Sequence, residues 1–222
     1  MSDAIGLAAQ DLHVRWVMPE AFHDIPVGLP EDESLDLLEK LAREVLPDAQ
    51  GDEGVRIAVA CALSIDDLEA AGARYAGMCV VNADGAPAAA TVYATEIPPD
   101  GDDDAPPTQR DIAASLRLLG NGDIREIDIP FGPAVAYIGS RAARQPDALT
   151  DGAASDPIGV SFIQVHVPLP NHSVLMMEMS TPTEAGWEAF SRSFADTVRS
   201  IRVFDESGAP VWMADLTPAA HA

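Results

Sequence analysis

Basic residues are scarce in this chain of 222 residues: 13 stand against 36 acidic ones, a formal net charge of −23 with neutral histidines. Lys40 is the only lysine, and arginine supplies the other 12. A protein that neutralises phosphates or lies on an anionic membrane needs the opposite sign, so neither a nucleic acid nor a membrane is an expected partner. Cysteine is nearly as rare. Cys61 and Cys79 are too few for a disulfide framework or a zinc site of their own, and their Ala, Val and Met neighbours mark them as buried free thiols. No apolar run approaches the roughly 18 residues that cross a bilayer, and the run over 55–63 is far too short. The opening Met1-Ser2-Asp3-Ala4-Ile5-Gly6 has neither the basic nor the apolar region of a secretory signal. These absences together give the expectation of a cytoplasmic protein.

What remains is an ordinary globular mixture, 47% hydrophobic and 22% charged. A chain of this size can remove roughly 70% of its unfolded surface from water, enough for a real core. Leu12-His13-Val14-Arg15-Trp16-Val17 alternates as a first strand. Segment 20–30, with Pro26, Gly28 and Pro30, is expected to be irregular. Leu35, Leu38, Leu41, Ala42 and Val45 share one helical stripe, behind the acidic start Glu31-Asp32-Glu33. Residues 53–71 fit a helix ended at Gly72, with Ser64-Ile65-Asp66-Asp67 as a second helix start; a strand over 55–59 followed by a short helix is the alternative. Two extended runs, 75–81 and 88–97, flank Asn82-Ala83-Asp84-Gly85, a hairpin turn because Asp-Gly accepts positive φ.

Acidic, proline-flanked 98–107 reads as a loop, followed by a helix from Thr108 to Leu119 with Gly120 as its stop. A strand through Ile124–Ile129 is broken or bulged at Phe131-Gly132-Pro133 and continues through Ala134–Ile138. Residues 139–157, rich in Ala, Asp, Gly and Pro, read as a mobile surface loop. Val160–Val167 and Ser173–Met179 are a closing hairpin around Pro168–His172. Thr181-Pro182-Thr183-Glu184 has the pattern of a capping box. The helix beyond it carries Trp187, Phe190, Phe194, Val198 and Ile201 on one face. Hairpins ending in amphipathic helices define an α+β fold, a mainly antiparallel sheet with helices on its faces. It occupies 1–204 as one domain, and 205–222 is a tail or an edge strand.

Chemistry-bearing patterns are few. Histidines 13, 23, 166, 172 and 221 have no metal-ligand spacing, and His166 and His172, which flank one turn, lack a third ligand. There is no Gly-x-Ser-x-Gly elbow, and Gly120-Asn121-Gly122-Asp123 follows a helix instead of opening one, as a phosphate loop would. Asp102-Asp103-Asp104 and Glu31-Asp32-Glu33 lack the alternation and the glycine of a calcium loop. No catalytic, cofactor or metal residue is therefore assigned. In the closing hairpin, Met177 and Met179 fit the core. Met176 and Glu178 lie on the other, mixed face, which the C-terminal helix can half-cover. With His166 and His172 they form the candidate partner surface.

The order of hairpin, loop, Ile127-Asp128-Ile129-Pro130-Phe131-Gly132-Pro133-Ala134-Val135, paired strands and closing helix resembles a PsbP-like α/β/α sandwich. More closely, Pro130–Val135 and the Val167–Pro170 hairpin resemble motifs of a group of acidic actinomycete proteins, over roughly 75–204. The resemblance implies a binding or assembly module and transfers no catalytic residue. The expected function is thus a non-catalytic protein–protein contact with a partner that carries a basic patch. The alternative is a small enzyme or ligand-binding protein with a pocket between sheet and helices.

Overall fold

Alternation in Leu12, Val14 and Trp16 buries every second side chain of a strand whose other face carries His13, Arg15 and Val17. That strand belongs to the smaller of two antiparallel sheets in the computed structural model, which describes residues 4–9, 12–45, 65, 67–83, 85–99, 107–120, 122–143 and 156–213. In order, the described elements begin β1 (Ala4–Ala9), β2 (Leu12–Val17), β3 (His23–Ile25) and α1 (Glu31–Val45). They continue β4 (Ala73–Ala83), β5 (Ala86–Ile97), α2 (Gln109–Leu118), β6 (Gly122–Ile129), β7 (Gly132–Ala143), β8 (Ile158–Pro168) and β9 (Val174–Thr181). A short 3-10 turn, Glu184–Gly186, leads into α3 (Trp187–Arg199), and β10 (Arg202–Asp205) and β11 (Pro210–Val211) close the described chain. The small sheet runs β1-β2-β10-β11 and the large one β3-β4-β5-β9-β8-β7-β6. The protein is α+β with a mainly antiparallel sheet.

Period-two alternation gives the large sheet two distinct faces. On one, Ala90, Val92, Val165, Leu175, Met177 and Met179 form the main core with Phe190, Phe194 and Val198 of α3 and with Trp16 and Val203 of the small sheet. The C-terminal helix therefore covers the Met177 and Met179 face, not the face of Met176 and Glu178. Among the described residues the opposite face carries α1 and α2 in separate clusters, with Ile65 and Leu68 of the helical segment before β4 packed beside α1. Leu38, Leu41 and Val45 of α1 pack on Ile25 and Ala76 at the β3–β4 side. Ile112, Ala113 and Leu116 of α2 pack on Val135, Tyr137 and Phe162 at the β6–β7 side. A capping box starts α2, with Thr108 and Asp111 each accepting from the other's backbone N–H. Gln109 Nε2 then donates to the carbonyls of Ile127 (2.8 Å) and Ala134 (2.9 Å), pinning the helix to the mouth of the β6–β7 hairpin.

Several local expectations are corrected. The stripe of α1 begins at Ser34, which is buried, while Leu35 is 56% exposed; the spacing 34, 38, 41, 42, 45 is the one that meets the sheet. Segment 20–30 holds β3, and the small sheet contains β1 as a second N-terminal strand. The break at 131–133 is a tight hairpin in which Ile129 faces Gly132. The strand after it runs on to Ala143, so 139–143 is strand, not loop, paired with β8 from Gly139↔Phe162 to Ala143↔Ile158. The capping box at Thr181 does not form. Its residue is the last of β9, and its hydroxyl donates to the Ala89 carbonyl (2.6 Å) and accepts from Thr183 N (3.0 Å). Of the expectations for 53–71, residues 67–70 are helical and end at Gly72 with φ 74°; 51–64, including Cys61 and Ser64, lie outside the described residues. So do 100–106 and 144–155, most of the two expected loops. Pro210–Val211 is an edge strand on β10.

Candidate functional site

Between α1 and α2, the central strands of the large sheet carry polar side chains where an apolar layer would be expected. Register places Tyr93 on one side of Glu178 and Gln164 on the other, so three neighbouring strands lay a polar row across the sheet. Glu178 is completely buried. Its carboxylate accepts two bonds from the Arg141 guanidinium, Nη1 to Oε2 at 3.0 Å and Nη2 to Oε1 at 2.5 Å. The Tyr93 hydroxyl (3.2 Å) and Gln164 Nε2 (2.7 Å) donate to the same Oε2. With its amide nitrogen on the carboxylate, Gln164 turns its oxygen to His166 Nε2 at 3.2 Å, which fixes that imidazole nitrogen as the donor. The hydroxyls of Thr91 and Ser180 bond each other at 2.9 Å alongside.

Both carboxylate oxygens of Glu178 are thus occupied by donors from within the fold. Bonding to Glu178 holds the Arg141 pKa above its ordinary value, against the desolvation that lowers it. Burial, reinforced by the Glu178 charge, pushes Tyr93 up to about 12. Burial pushes His166 down to about 4, with Glu178 pulling weakly the other way. Burial keeps His166 away from solvent and in its neutral form at ordinary pH.

Of the four residues singled out in the sequence, the structure brings three together. His166 faces Met176 across the strand pair, next to Glu178. None of the three reaches the surface, at 7%, 9% and 0% exposure. His172 stands apart in the β8–β9 turn, with φ 70°. Tyr93, Arg141 and Gln164 were not singled out. They come from three strands with no shared spacing, and Arg141 follows a Gly-Ser pair that reads as loop.

The His166 shift carries a pH signature. A histidine with pKa about 4 when folded and about 6.5 when unfolded binds fewer protons in the folded state throughout that window. Its contribution is fully present above the unfolded value and is lost as pH falls toward the folded one. Across the window it amounts to about 3 kcal/mol. Urea titrations from pH 7.5 to 4.5 are expected to show wild type losing stability relative to His166→Gln as pH falls. Parallel pH curves for the two proteins would show that His166 titrates normally.

The described residues also form a groove of ≈ 550 Å³ over the outer edge of β3. Phe22, Ile25, Val27, Leu29, Leu37 and Leu41 supply its apolar lining, and His23, Asp24, Lys40, Glu44 and Arg74 its charges. Glu44 holds both His23 Nδ1 (3.2 Å) and Lys40 Nζ (3.6 Å). The loop beyond β3 is tied down by Gly28 N donating to Glu69 at 2.8 Å. A register shift between Ala73 and Tyr75 makes Arg74 the extra residue of a β-bulge, a device that re-aims a side chain.

Among the described residues no three metal-ligating side chains gather, and no helix is long and apolar enough to cross a membrane. Cys79 is a buried free thiol that burial pushes up to about 11, which makes it a poor nucleophile. No protein-family model matches the chain, and no curated protein matches it in sequence.

Proposed function

We propose that this protein is a non-catalytic protein–protein interaction or assembly module of the cytoplasm, and that its partner lays an extended segment along β3. The observation that carries this reading is the groove at that edge. Among the described residues β3 pairs with β4 on one side only, and Leu29 and Leu37 stand 42% and 41% exposed in the adjoining groove. An open strand edge offers backbone hydrogen bonds to an added strand, and an apolar groove beside it takes alternate side chains. The charge balance of −23 favours a partner with a basic patch and speeds its approach. The PsbP-like resemblance points toward binding or assembly as well. A small enzyme or ligand-binding protein is the second reading, because a volume of ≈ 550 Å³ suits a metabolite. The groove is open, however, and its Glu44, His23 and Lys40 already occupy one another.

A photo-reactive amino acid at position 37 tests the docking edge in cells. One discrete protein adduct is expected from position 37 and none from position 188, whose side chain is 86% exposed on α3. The same adducts from both positions, or none from 37, would remove the β3 edge as the docking site.

A further inference from the structure

The longest open strand edge among the described residues lies at the other end of the large sheet from β3. β6 ends that sheet and spans eight residues, against six in β1, three in β3 and two in β11. A two-residue turn, Pro130-Phe131, makes the flanking Ile129 and Gly132 a hydrogen-bonded pair. Bonding alternates from there, and Pro133, which has no N–H to give, faces Asp128 as the alternation requires. Gly122, Ile124, Glu126 and Asp128 therefore aim their backbone N–H and C=O away from β7. Apart from the half-buried Ile124, these residues are exposed. Leu118 and Leu119, the two most exposed large hydrophobic residues among those described at 89% and 71%, end α2 just before this edge begins.

We propose that β6 pairs with β6 of a second copy of this chain, antiparallel about a two-fold axis at Ile124. Charged side chains normally keep a sheet edge from pairing; on β6 their order decides which register can pair. An axis at Asp123, Arg125 or Glu126 sets that charge against itself, and one at Ile127 brings Glu126 against Asp128. The axis at Ile124 avoids every such clash. There Ile124 meets its own copy, Gly122 meets Glu126, and Asp123 meets Arg125 on both sides of the axis. The first two pairings join residues whose backbone groups face outward, so each exchanges both bonds of the ladder. Within one copy Arg125 Nε donates to Asp123 Oδ2 at 2.7 Å, so the same two charges that neutralise each other singly also neutralise each other across the axis. A two-fold axis perpendicular to a sheet keeps its faces, which puts both α2 helices on one side with Leu118 and Leu119 of each close to the seam. The product is one continuous sheet with a β3 edge at either end. This pairing does not depend on what docks at β3.

Sedimentation equilibrium of the full chain at physiological ionic strength, where repulsion between the acidic copies is screened beyond ~8 Å, tests this. A reversible monomer–dimer equilibrium is expected. Asp123→Arg and Arg125→Asp each set like charges opposite one another twice, and each should weaken the dimer about tenfold. An equal mixture of the two variants should dimerise as wild type does, because every facing pair is again opposite in sign and the total charge equals that of two wild-type copies. Glu126→Pro removes an outward N–H that the monomer's own ladder does not use, and should abolish the dimer, whereas Glu126→Gln should retain it. All three positions are exposed, so unchanged melting temperatures will confirm that the variants fold. A monomer at every concentration, a dimer that survives Glu126→Pro, or a mixture no tighter than its single components would overturn the proposal and leave the β3 reading standing.

Discussion

Phe194→Ala is expected to destabilise the protein by about 3–5 kcal/mol, the usual cost of emptying a phenylalanine site in a core. Phe194 is 3% exposed on α3 and belongs to the cluster that joins that helix to both sheets, so the cavity left behind has rigid walls on every side. The effect should appear in urea unfolding as a lower midpoint with an unchanged slope. A variant that melts with wild type would mean that the stripe Phe190, Phe194, Val198 and Ile201 faces solvent or a partner.

Arg141→Ala is the second large effect, for an electrostatic reason. Removing the guanidinium leaves the fully buried Glu178 with the Tyr93 and Gln164 donors alone. Breaking a buried pair on one side costs about 3–5 kcal/mol, and the 45% exposure of the Arg141 side chain puts the expectation at the lower end, about 3. Arg141→Lys should recover only part, because an ammonium cannot reproduce two parallel bonds to one carboxylate. The double variant Arg141→Met, Glu178→Met should recover most of the loss, since both charges leave together. Losses that simply add in the double variant would show that the two side chains act independently.

The pair also bears on how the sheet finds its alignment. Alternation fixes which face a strand buries, but a slip of two residues preserves the faces. A two-residue slip would part Glu178 from the Tyr93, Gln164 and Arg141 donors that hold it in the observed register.

How legible all this was in the sequence differed from element to element. The β4–β5 hairpin was visible because its turn is local: Gly85 takes φ 86° and its N–H bonds Asn82 Oδ1 at 2.8 Å. The α3 stripe was visible because a 3.6-residue period is also local. The far half of β7 was not, since Gly139-Ser140-Arg141-Ala142-Ala143 has no alternation of its own; pairing with β8 and the bond to Glu178 hold it extended. The misread capping box fails for the opposite reason. The local pattern is there, but β9 continues to Thr181 and gives its hydroxyl to Ala89. Of the polar network, His166, Met176 and Glu178 showed through strand alternation, while Arg141, Tyr93 and Gln164 depend on which strands become neighbours. The β3 groove was hidden for the same reason, since 22–29, α1 and Arg74 meet only after β3 has docked on β4.

The small sheet ties together distant parts of the chain: Val17 N donates to Ser200 Oγ, 183 residues further on, and Arg15 lies opposite Arg202. During synthesis at about 5–20 residues per second, the ribosome needs roughly 10–40 s to deliver the second half of that pairing. For that interval the β2 side chains, Trp16 among them, have no β10 or α3 to lie against. The N-terminal hairpin can complete its sheet only once β10 has been made.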